Sequence, residues 1–173
     1  KPENDIFYAM SHGVNRATLK PGKSDERSFF LNQLINKLNN NIKYDFYGYK
    51  NKQPIWGDDF YVALINSKMG LNLSRGLPTK LYSSNRIASI MGNGLLTFID
   101  KKTGFDKIFN NKEVILYNTV QDLSEKINYY KVNERARIKI AEKGQSKYFK
   151  LFNEKKISQY IIDKSLNKTK NLF

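Results

Sequence analysis

The stretch MGLNLSRGLPTKLYSSNRIASIMGNGLLTFI, residues 69–99, decides the fold class. Its apolar run 69–73 is typical of a buried strand, and the loop that follows contains a rigid Gly-Leu-Pro turn. A helix capped by Ser83 or Ser84 comes next and ends at a Gly-Asn-Gly turn, whose residues tolerate the left-handed backbone of a helix C-cap. The apolar run 95–99 is a second strand. A strand, a helix and a strand in this order form a βαβ unit with parallel strands.

The same alternation of strands and helices extends over the rest of the chain. Further strands are predicted at 5–11, 42–47 and 114–117, and helices at 24–38, at 58–67 and from 120 almost to the end. Crossovers between parallel strands are right-handed, so the helices pack on both faces of the sheet. We therefore predict an α/β fold with an open, doubly wound, mainly parallel Rossmann-like sheet of five to six strands and a helical C-terminal segment.

One domain is expected to account for the whole chain. No internal repeat or linker interrupts residues 1–173, and only the Lys- and Asn-rich tail 167–173 is expected to fray. A chain of this length buries enough surface to fold without a disulfide or a metal. Because the first residue is Lys1 rather than Met, we expect the chain to be a fragment of a longer polypeptide.

The composition excludes several kinds of site. The chain has no cysteine, which excludes a disulfide framework, a thiolate zinc site and a cysteine nucleophile. Its single histidine, His12, makes a histidine-built metal centre implausible. No apolar run approaches the roughly 18 residues of a membrane-spanning helix. We expect a soluble, cytoplasmic protein.

The charge allows two interpretations. The chain has 30 Lys and Arg and 16 Asp and Glu, which give a net charge of +14. This charge suits a polyanionic partner such as nucleic acid or an anionic membrane, and peripheral association at the inner face of the membrane is one expectation. Lysines that are spread along the whole chain beside Asn and Ile are also typical of a solvated surface without a specific partner.

Ligands of doubly wound sheets bind beyond the carboxyl ends of the strands, where the strand order reverses. This rule selects the loops at 11–23, 47–57, 74–86 and 99–106. Glycine lets a ligand approach the backbone, cations neutralise phosphate, and a helix N-terminus carries partial positive charge. The candidates for binding a diphosphate are therefore Gly13, Arg16, Lys20, Arg75, Lys80 and Arg86.

Each candidate has a structural alternative. The segment 11–23 can be a solvated basic loop, and Arg86 can pair with a carboxylate on the helix surface. Tyr47, after the second strand, can stack on a nucleotide base or pack at the rim of the sheet. Asp100, the best-placed acid, can instead cap the turn before Thr103. Because carboxylates are otherwise scarce in these loops and no Asp-x-Asp occurs, we predict no metal site.

The run RIASIMGNGLLT, residues 86–97, resembles the donor-domain motif of glycosyltransferases with two facing Rossmann-like domains, the GT-B fold. The similarity is to the glycosyl transferases group 1 of the spore-coat, CgeB-like family. Their pattern is an Arg, an acidic residue three positions later, a Gly eight positions later and an apolar strand. Arg86 and Gly94 match this spacing, and Ser89 stands at the acidic position. The resemblance covers residues 5–155 and also includes Gly104-Phe105-Asp106, the strand of Tyr117, the helix DLSEKINYY from Asp122 and the basic helical end at 136–152.

In this family the C-terminal domain binds a nucleotide sugar and the N-terminal domain binds the acceptor. The resemblance implies that Arg86 and the helix before Gly94 line the donor pocket, and that Gly13 and the basic loop after it lie near the diphosphate. Ser89 can hydrogen-bond a hydroxyl group but lacks the charge and bidentate geometry of the family's acidic residue. The residues expected near the donor's base, ribose and sugar are Tyr47, Tyr82, Ser89 and Asp100.

The resemblance therefore predicts the donor-binding half of a two-domain glycosyltransferase that uses a nucleotide sugar, without a metal or a cofactor, in cell-surface glycan or lipopolysaccharide-type synthesis. No catalytic residue is assigned, because the general base would come from an N-terminal acceptor-binding domain that this chain lacks. We expect the isolated domain to be inactive and to bind no nucleic acid. Two alternatives stay open: a basic nucleic-acid-binding α/β module, and a non-catalytic nucleotide- or protein-interaction domain.

Overall fold

A single parallel sheet organises the fold. The computed structural model describes residues 1–11, 25–82 and 84–168. Within these ranges the sheet has five strands, β1 (Asn4–Ala9), β2 (Tyr44–Tyr47), β3 (Ser67–Asn72), β4 (Leu96–Asp100) and β5 (Ile115–Tyr117). Their order is β2-β1-β3-β4-β5, and every neighbouring pair is parallel. The predicted doubly wound α/β fold with a parallel sheet is confirmed.

Helices connect and cover these strands. In the described ranges they are α1 (Glu26–Ile35), α2 (Gly57–Ile65), α3 (Asn85–Gly92), α4 (Val120–Val132), α5 (Glu134–Leu151) and α6 (Glu154–Ser165). The helical end of the chain is divided at Asn133 and Asn153, and Asn153 caps α6 by accepting a hydrogen bond from Lys156 N. None of the helices in the described ranges combines the length and the apolar character needed to cross a membrane.

Side chains alternate between the two faces of the sheet, as expected for strands. Ile6 and Tyr8 of β1 pack beneath α1 and α4 on one face, while Phe7 packs beneath α2 and α3 on the other. Gly70 of β3 lies under α3, where a Cβ atom would come within 2.5 Å of the Ile90 Cγ2 atom. Glycine at this position therefore allows α3 to pack directly on the sheet.

Residues of α5 hold the C-terminal end of α3. Gln145 Nε2 donates a hydrogen bond of 2.7 Å to the carbonyl of Gly92, the last residue of α3. Beside it, Gly144 packs so closely that a Cβ atom would lie 2.1 Å from the carbonyl oxygen of Glu113. Helix α5 is thereby fixed against both α3 and the turn before β5.

A buried ion cluster lies at the amino edge of the sheet. Asp5 of β1 is 1% exposed, and its carboxylate accepts hydrogen bonds from Lys43 N at 2.9 Å, Lys68 Nζ at 2.8 Å and Lys131 Nζ at 2.5 Å. Burial alone would raise the pKa of Asp5, but these hydrogen bonds outweigh it and lower the pKa below its ordinary value. The cluster joins β1, β3 and α4.

The strand order reverses at β1. The chain runs from β1 to β2 on one side and then crosses to β3 on the other, so the loops after β1 and β3 diverge and leave a crevice at the carboxyl edge. Gly48, just after β2, has a φ of +74°, and a Cβ atom there would lie 2.0 Å from the Met10 carbonyl oxygen. Only glycine allows the loop after β2 to pack this closely against the end of β1.

Candidate functional site

A cavity of about 710 Å³ opens at the carboxyl edge of the sheet, beside the end of β1 and the N-termini of α2 and α3. Most of its wall comes from residues 9–11 after β1, residues 54–57 at the start of α2 and residues 84–86 at the start of α3, together with Arg27 and Tyr82. Small-molecule and cofactor sites have volumes of roughly 300–1,000 Å³. The cavity therefore has the size and the position expected of a ligand site in a doubly wound fold.

Arg86 joins the ends of the two strands beside the cavity. Its Nε donates to the Ala9 carbonyl at 3.2 Å, and its Nη1 donates to the Leu73 carbonyl at 2.8 Å. Burial lowers the pKa of the guanidinium, although arginine stays protonated under ordinary conditions. Among the described residues no carboxylate pairs with Arg86, so the alternative that it pairs on the helix surface is not observed. The site therefore contains a cation whose charge is not compensated by a described residue.

Tyr8 packs against Arg86 and shares one of its partners. The Arg86 guanidinium lies 5.0 Å from the centre of the Tyr8 ring. The Tyr8 hydroxyl donates to the Leu73 carbonyl at 2.9 Å, so this carbonyl accepts hydrogen bonds from both side chains. Burial raises the pKa of the Tyr8 hydroxyl, which is therefore neutral and acts as a donor. Tyr8, Leu73 and Arg86 form one unit at the point where β1 and β3 diverge.

Arg27 is a second cation at the cavity, and the sequence analysis did not identify it. It is 5% exposed, donates from Nη2 to the Ser11 carbonyl at 3.0 Å and forms an ion pair with Asp25. Burial alone would lower the pKa of Arg27, but the hydrogen bonds and charge of Asp25 outweigh it and raise the pKa. The spacing of Arg27 from Leu31 and Leu34 places it on the buried stripe of α1, and this spacing is the feature that could have identified it.

The N-termini of α2 and α3 both open onto the cavity. The N-cap residues are Trp56 and Ser84, and neither side chain makes a capping hydrogen bond. The Ser84 Oγ atom is buried and has no hydrogen-bond partner among the described residues. Ser89 also lines the cavity, but its hydroxyl donates to the Asn85 carbonyl at 3.0 Å. Free backbone N–H groups and the helix dipole make such ends attractive to anions.

The structure brings together only part of the predicted site. Arg86, Ser89 and Tyr82 line the cavity, and so does Trp56. Arg75 and Lys80 are exposed on the turn after β3, outside the cavity wall. The predicted residues Gly13, Arg16 and Lys20, and also His12, lie outside the described residues.

Two other predicted residues lie near the carboxyl edge but not in this cavity. Tyr47 at the end of β2 packs its ring 6.1 Å from that of Phe7, and Lys52 Nζ lies 3.9 Å from the Tyr47 ring centre. Asp100 at the end of β4 accepts a hydrogen bond of 2.8 Å from Lys102 N, which corresponds to the capping alternative. Asp100 also lines a second, smaller cavity that Tyr82 shares with the first. In the described part of the chain no three His, Cys, Asp or Glu side chains cluster as a metal site would require.

Comparison with known protein families identifies the family of the chain. The glycosyl transferase-like family matches residues 26–163, and the chain belongs to this family. No curated protein matches the chain.

Solved structures of Anabaena Alr3699/HepE have the same fold. The crystal structure in complex with UDP-glucose has a TM-score of 0.70 at 13% identity and covers 96% of this chain and 50% of that protein. The complex with UDP and glucose has a TM-score of 0.68 at 13% identity, with 96% and 49% covered. The complex with UDP has a TM-score of 0.68 at 14% identity, again with 96% and 49% covered. The chain thus spans about half the length of HepE. The predicted resemblance to a GT-B glycosyltransferase domain is confirmed.

Proposed function

We propose that this chain is the donor-binding domain of a glycosyltransferase, and that the cavity binds the nucleoside diphosphate part of a nucleotide sugar. The observation that carries this proposal is Arg86. It is a cation without a carboxylate partner among the described residues, and it lies at the N-terminus of α3 in a cavity of about 710 Å³. A diphosphate would supply the negative charge that the described residues do not.

The groups around Arg86 fit a diphosphate. Nε and Nη1 are held by the carbonyls of Ala9 and Leu73, and Nη2 makes no hydrogen bond to a described residue. The buried Ser84 Oγ and the first backbone N–H groups of α3 supply further donors to oxygen atoms of a phosphate. Arg27 also lines the cavity and adds positive charge, although Asp25 largely neutralises it.

Three aromatic residues of the cavity wall suit the base or the sugar of the donor. They are Trp56, Phe60 and Tyr61, of which Trp56 and Tyr61 are 47% and 54% exposed. Exposed aromatic rings at a cavity provide flat surfaces on which a nucleobase stacks. HepE, which has the same fold, was crystallised with UDP, with UDP and glucose, and with UDP-glucose. A uridine diphosphate sugar is therefore the first donor to test.

In sugar transfer, the bond between the anomeric carbon and the diphosphate oxygen breaks, and negative charge develops on the leaving nucleoside diphosphate. Arg86 and the N-terminus of α3 are fixed before this charge appears, so they stabilise it without reorganisation. We propose that these groups act without a metal or a further cofactor. The acceptor and the general base would lie on a second domain facing the cavity, which the coverage of about half of HepE supports.

The remaining expectations are proposals of the same kind. The isolated domain would bind the donor without transferring sugar, because the acceptor-binding domain is needed for turnover. The pathway proposed is cell-surface glycan or lipopolysaccharide-type synthesis in the cytoplasm. The net charge of +14 supports peripheral contact with an anionic membrane.

Calorimetric titration of the chain with UDP, GDP, CMP and the matching nucleotide sugars tests the proposal. We expect saturable binding of one nucleotide, weakened about 100-fold by Arg86→Ala and about tenfold by Arg86→Lys, which keeps the charge but loses the planar fork. The control is Arg135→Ala, an exposed arginine on α5, which should leave the affinity unchanged. Thermal melting checks that each variant is folded. Absence of nucleotide binding, together with salt-sensitive binding to DNA or RNA, would overturn the proposal and favour the nucleic-acid-binding alternative.

A further inference from the structure

Tyr8 contacts a residue of the proposed donor cavity without being part of the cavity wall itself. It belongs to β1, is 0% exposed and does not line the cavity. Its ring packs edge-on against the ring of Phe46, with 6.2 Å between the ring centres and 89° between the ring planes. An effect of Tyr8 on a ligand must therefore pass through a residue that contacts both Tyr8 and the cavity.

Arg86 is such a residue, and its contacts involve Tyr8 and the residue that follows it. The Arg86 guanidinium lies 5.0 Å from the centre of the Tyr8 ring. A cation within about 6 Å of an aromatic ring centre is attracted to the ring face. Arg86 Nη1 donates at 2.8 Å to the Leu73 carbonyl, and Nε donates at 3.2 Å to the Ala9 carbonyl. The ring and the two carbonyls together fix the position of the guanidinium.

The Leu73 carbonyl is a second link between Tyr8 and Arg86. Leu73 comes directly after the last residue of β3, where the regular pairing of the strand ends. A carbonyl oxygen has two lone pairs, and here one accepts from the Tyr8 hydroxyl at 2.9 Å and the other from Arg86. The Tyr8 hydroxyl therefore holds the acceptor to which Arg86 donates. Without this hydroxyl, Arg86 is the remaining side-chain donor to that carbonyl among the described residues.

Arg86 depends on these neutral contacts, because no carboxylate of a described residue pairs with it. A charged group that is taken out of water without a counter-charge is destabilised. Burial accordingly lowers the pKa of the Arg86 guanidinium, and the charge of Arg27 lowers it further. An arginine side chain also has enough rotamer freedom to turn toward solvent. Of the groups that hold Arg86 in place, the Tyr8 side chain is the one that a single substitution can remove.

We propose that Tyr8 is a positioning residue for donor binding, and that its ring and hydroxyl hold Arg86 in the orientation in which the diphosphate binds. This inference rests on the proposed function, because it takes the ligand of Arg86 to be the diphosphate of a nucleotide sugar. Tyr8 itself does not touch the donor. The orientation that it maintains leaves Nη2 of Arg86 without a hydrogen bond to a described residue, so Nη2 is available to a phosphate oxygen.

Calorimetric titration with UDP compares the wild type with Tyr8→Phe, which keeps the ring and removes the hydroxyl. We expect Tyr8→Phe to bind UDP about tenfold more weakly, because the Leu73 carbonyl is no longer held. The matched control is Tyr117→Phe. Tyr117 belongs to the same core cluster and is 1% exposed, and its hydroxyl has no hydrogen-bond partner among the described residues. Tyr117→Phe should bind UDP as the wild type does, and thermal melting checks that both variants are folded.

A double variant shows whether Tyr8 acts through Arg86. If Tyr8 only positions Arg86, its hydroxyl has nothing to position once Arg86 is replaced by alanine. The double variant Tyr8→Phe/Arg86→Ala should therefore bind UDP as weakly as Arg86→Ala alone. A tenfold loss that Tyr8→Phe causes in both backgrounds would overturn the inference, because the hydroxyl would then act on the fold in general. Wild-type affinity of Tyr8→Phe for UDP would also overturn it.

NMR spectroscopy of the Arg86 Nε–H group tests the position of this side chain without a ligand. In the wild type the hydrogen bond to the Ala9 carbonyl should slow the exchange of this proton with water. We expect faster exchange in Tyr8→Phe, and the absence of the signal in Arg86→Lys identifies it. Equal exchange rates in the wild type and Tyr8→Phe would overturn the inference. If the rates differ as expected but the wild type does not bind UDP, the proposed function fails for this donor while the hold of Tyr8 on Arg86 stands.

Discussion

The two edges of the sheet differ in whether a charged side chain is paired with opposite charge. At the amino edge the carboxylate of Asp5 is matched by Lys68 and Lys131, so its charge is compensated within the chain. At the carboxyl edge Arg86 is held by two neutral carbonyls, and no carboxylate of a described residue pairs with it. The first arrangement joins elements of the fold, whereas the second leaves positive charge beside a cavity.

Arg27 shows that position at the carboxyl edge is not sufficient for a binding role. It lines the same cavity as Arg86, but Asp25 forms an ion pair with it. Of these two cations at the site, only Arg86 lacks a counter-charge among the described residues. The partners of a charged side chain, more than its location, therefore identify the candidate for a binding role.

Removing the carboxylate at the amino edge should have the largest effect. In Asp5→Asn the ammonium groups of Lys68 and Lys131 lose the charge that compensates them. We expect the free energy of unfolding at neutral pH to fall by about 3–4 kcal/mol, because one partner of a buried ion cluster is gone. Urea unfolding measures this change. The control is Asp106→Asn at an exposed position, where we expect a change below about 0.5 kcal/mol.

Acid provides an independent check of the same prediction. The folded pKa of Asp5 lies below its ordinary value of 3.8. Its contribution to stability is therefore present above about pH 4 and is lost as the pH falls through the lower folded value. The difference in the free energy of unfolding between the wild type and Asp5→Asn should therefore become smaller as the pH falls. A difference that stays constant down to about pH 2 would contradict a role for the Asp5 charge.

A substitution at the carboxyl edge should have the next largest effect. In Gly48→Ala the new Cβ would lie 2.0 Å from the Met10 carbonyl oxygen, in a residue with a φ of +74°. We expect the free energy of unfolding to fall by about 3 kcal/mol and UDP to bind more weakly, because the end of β1 must shift. Gly76→Ala is the matched control, since its φ is +76° and nothing lies within 4 Å of the new atom. Gly76→Ala should lower the free energy of unfolding by only about 1 kcal/mol. If urea unfolding gives equal losses for both variants, close packing at Gly48 is not the cause.

The smallest expected effect concerns the exposed cations near the cavity. Arg75 and Lys80 lie on the turn after β3, outside the cavity wall, so they act on a bound diphosphate only through long-range charge. Arg75→Ala and Lys80→Ala should each weaken UDP binding about twofold at low salt, and the effect should vanish at about 0.5 M salt. A tenfold loss of affinity for UDP that persists at high salt would contradict this prediction and would place these side chains in contact with the diphosphate.

Most of the fold could be predicted because the spacing of apolar residues indicates which side chains are buried. All five strands lie where the apolar runs predict them, and their parallel arrangement follows from the helices between them. The ends of the helices were less predictable. The pattern of α1 continues to Leu38, but the helix ends at Ile35 and the next residues form turns. The helical segment after Val120 is interrupted at Asn133 and Asn153, which the apolar stripes do not reveal.

Sequence reasoning selected a residue of the cavity wall where a loop leads into a helix, and it missed a residue that tertiary packing brings there. Arg86 could be found because it follows a strand and begins a helix, which the rule for doubly wound sheets selects. Arg27 could not be found in this way, since it enters the cavity from the buried face of α1. The buried side-chain oxygen of Asn72 has no hydrogen-bond partner among the described residues. This could not be predicted from the sequence either, because whether this oxygen is paired depends on which groups surround it in the folded chain.

The hydrogen bond from Gln145 to Gly92 has a consequence for the order in which the site is completed during synthesis. Arg86 and the other described residues of the cavity wall all precede position 90, yet the helix that presents Arg86 is fixed at its far end by a side chain more than 50 residues downstream. Domains emerge from the ribosome from their N-terminus. The cavity is therefore incomplete until α5 has been made and docked, and a nascent chain that ends before α5 carries the residues of the cavity wall without the contact that orients α3.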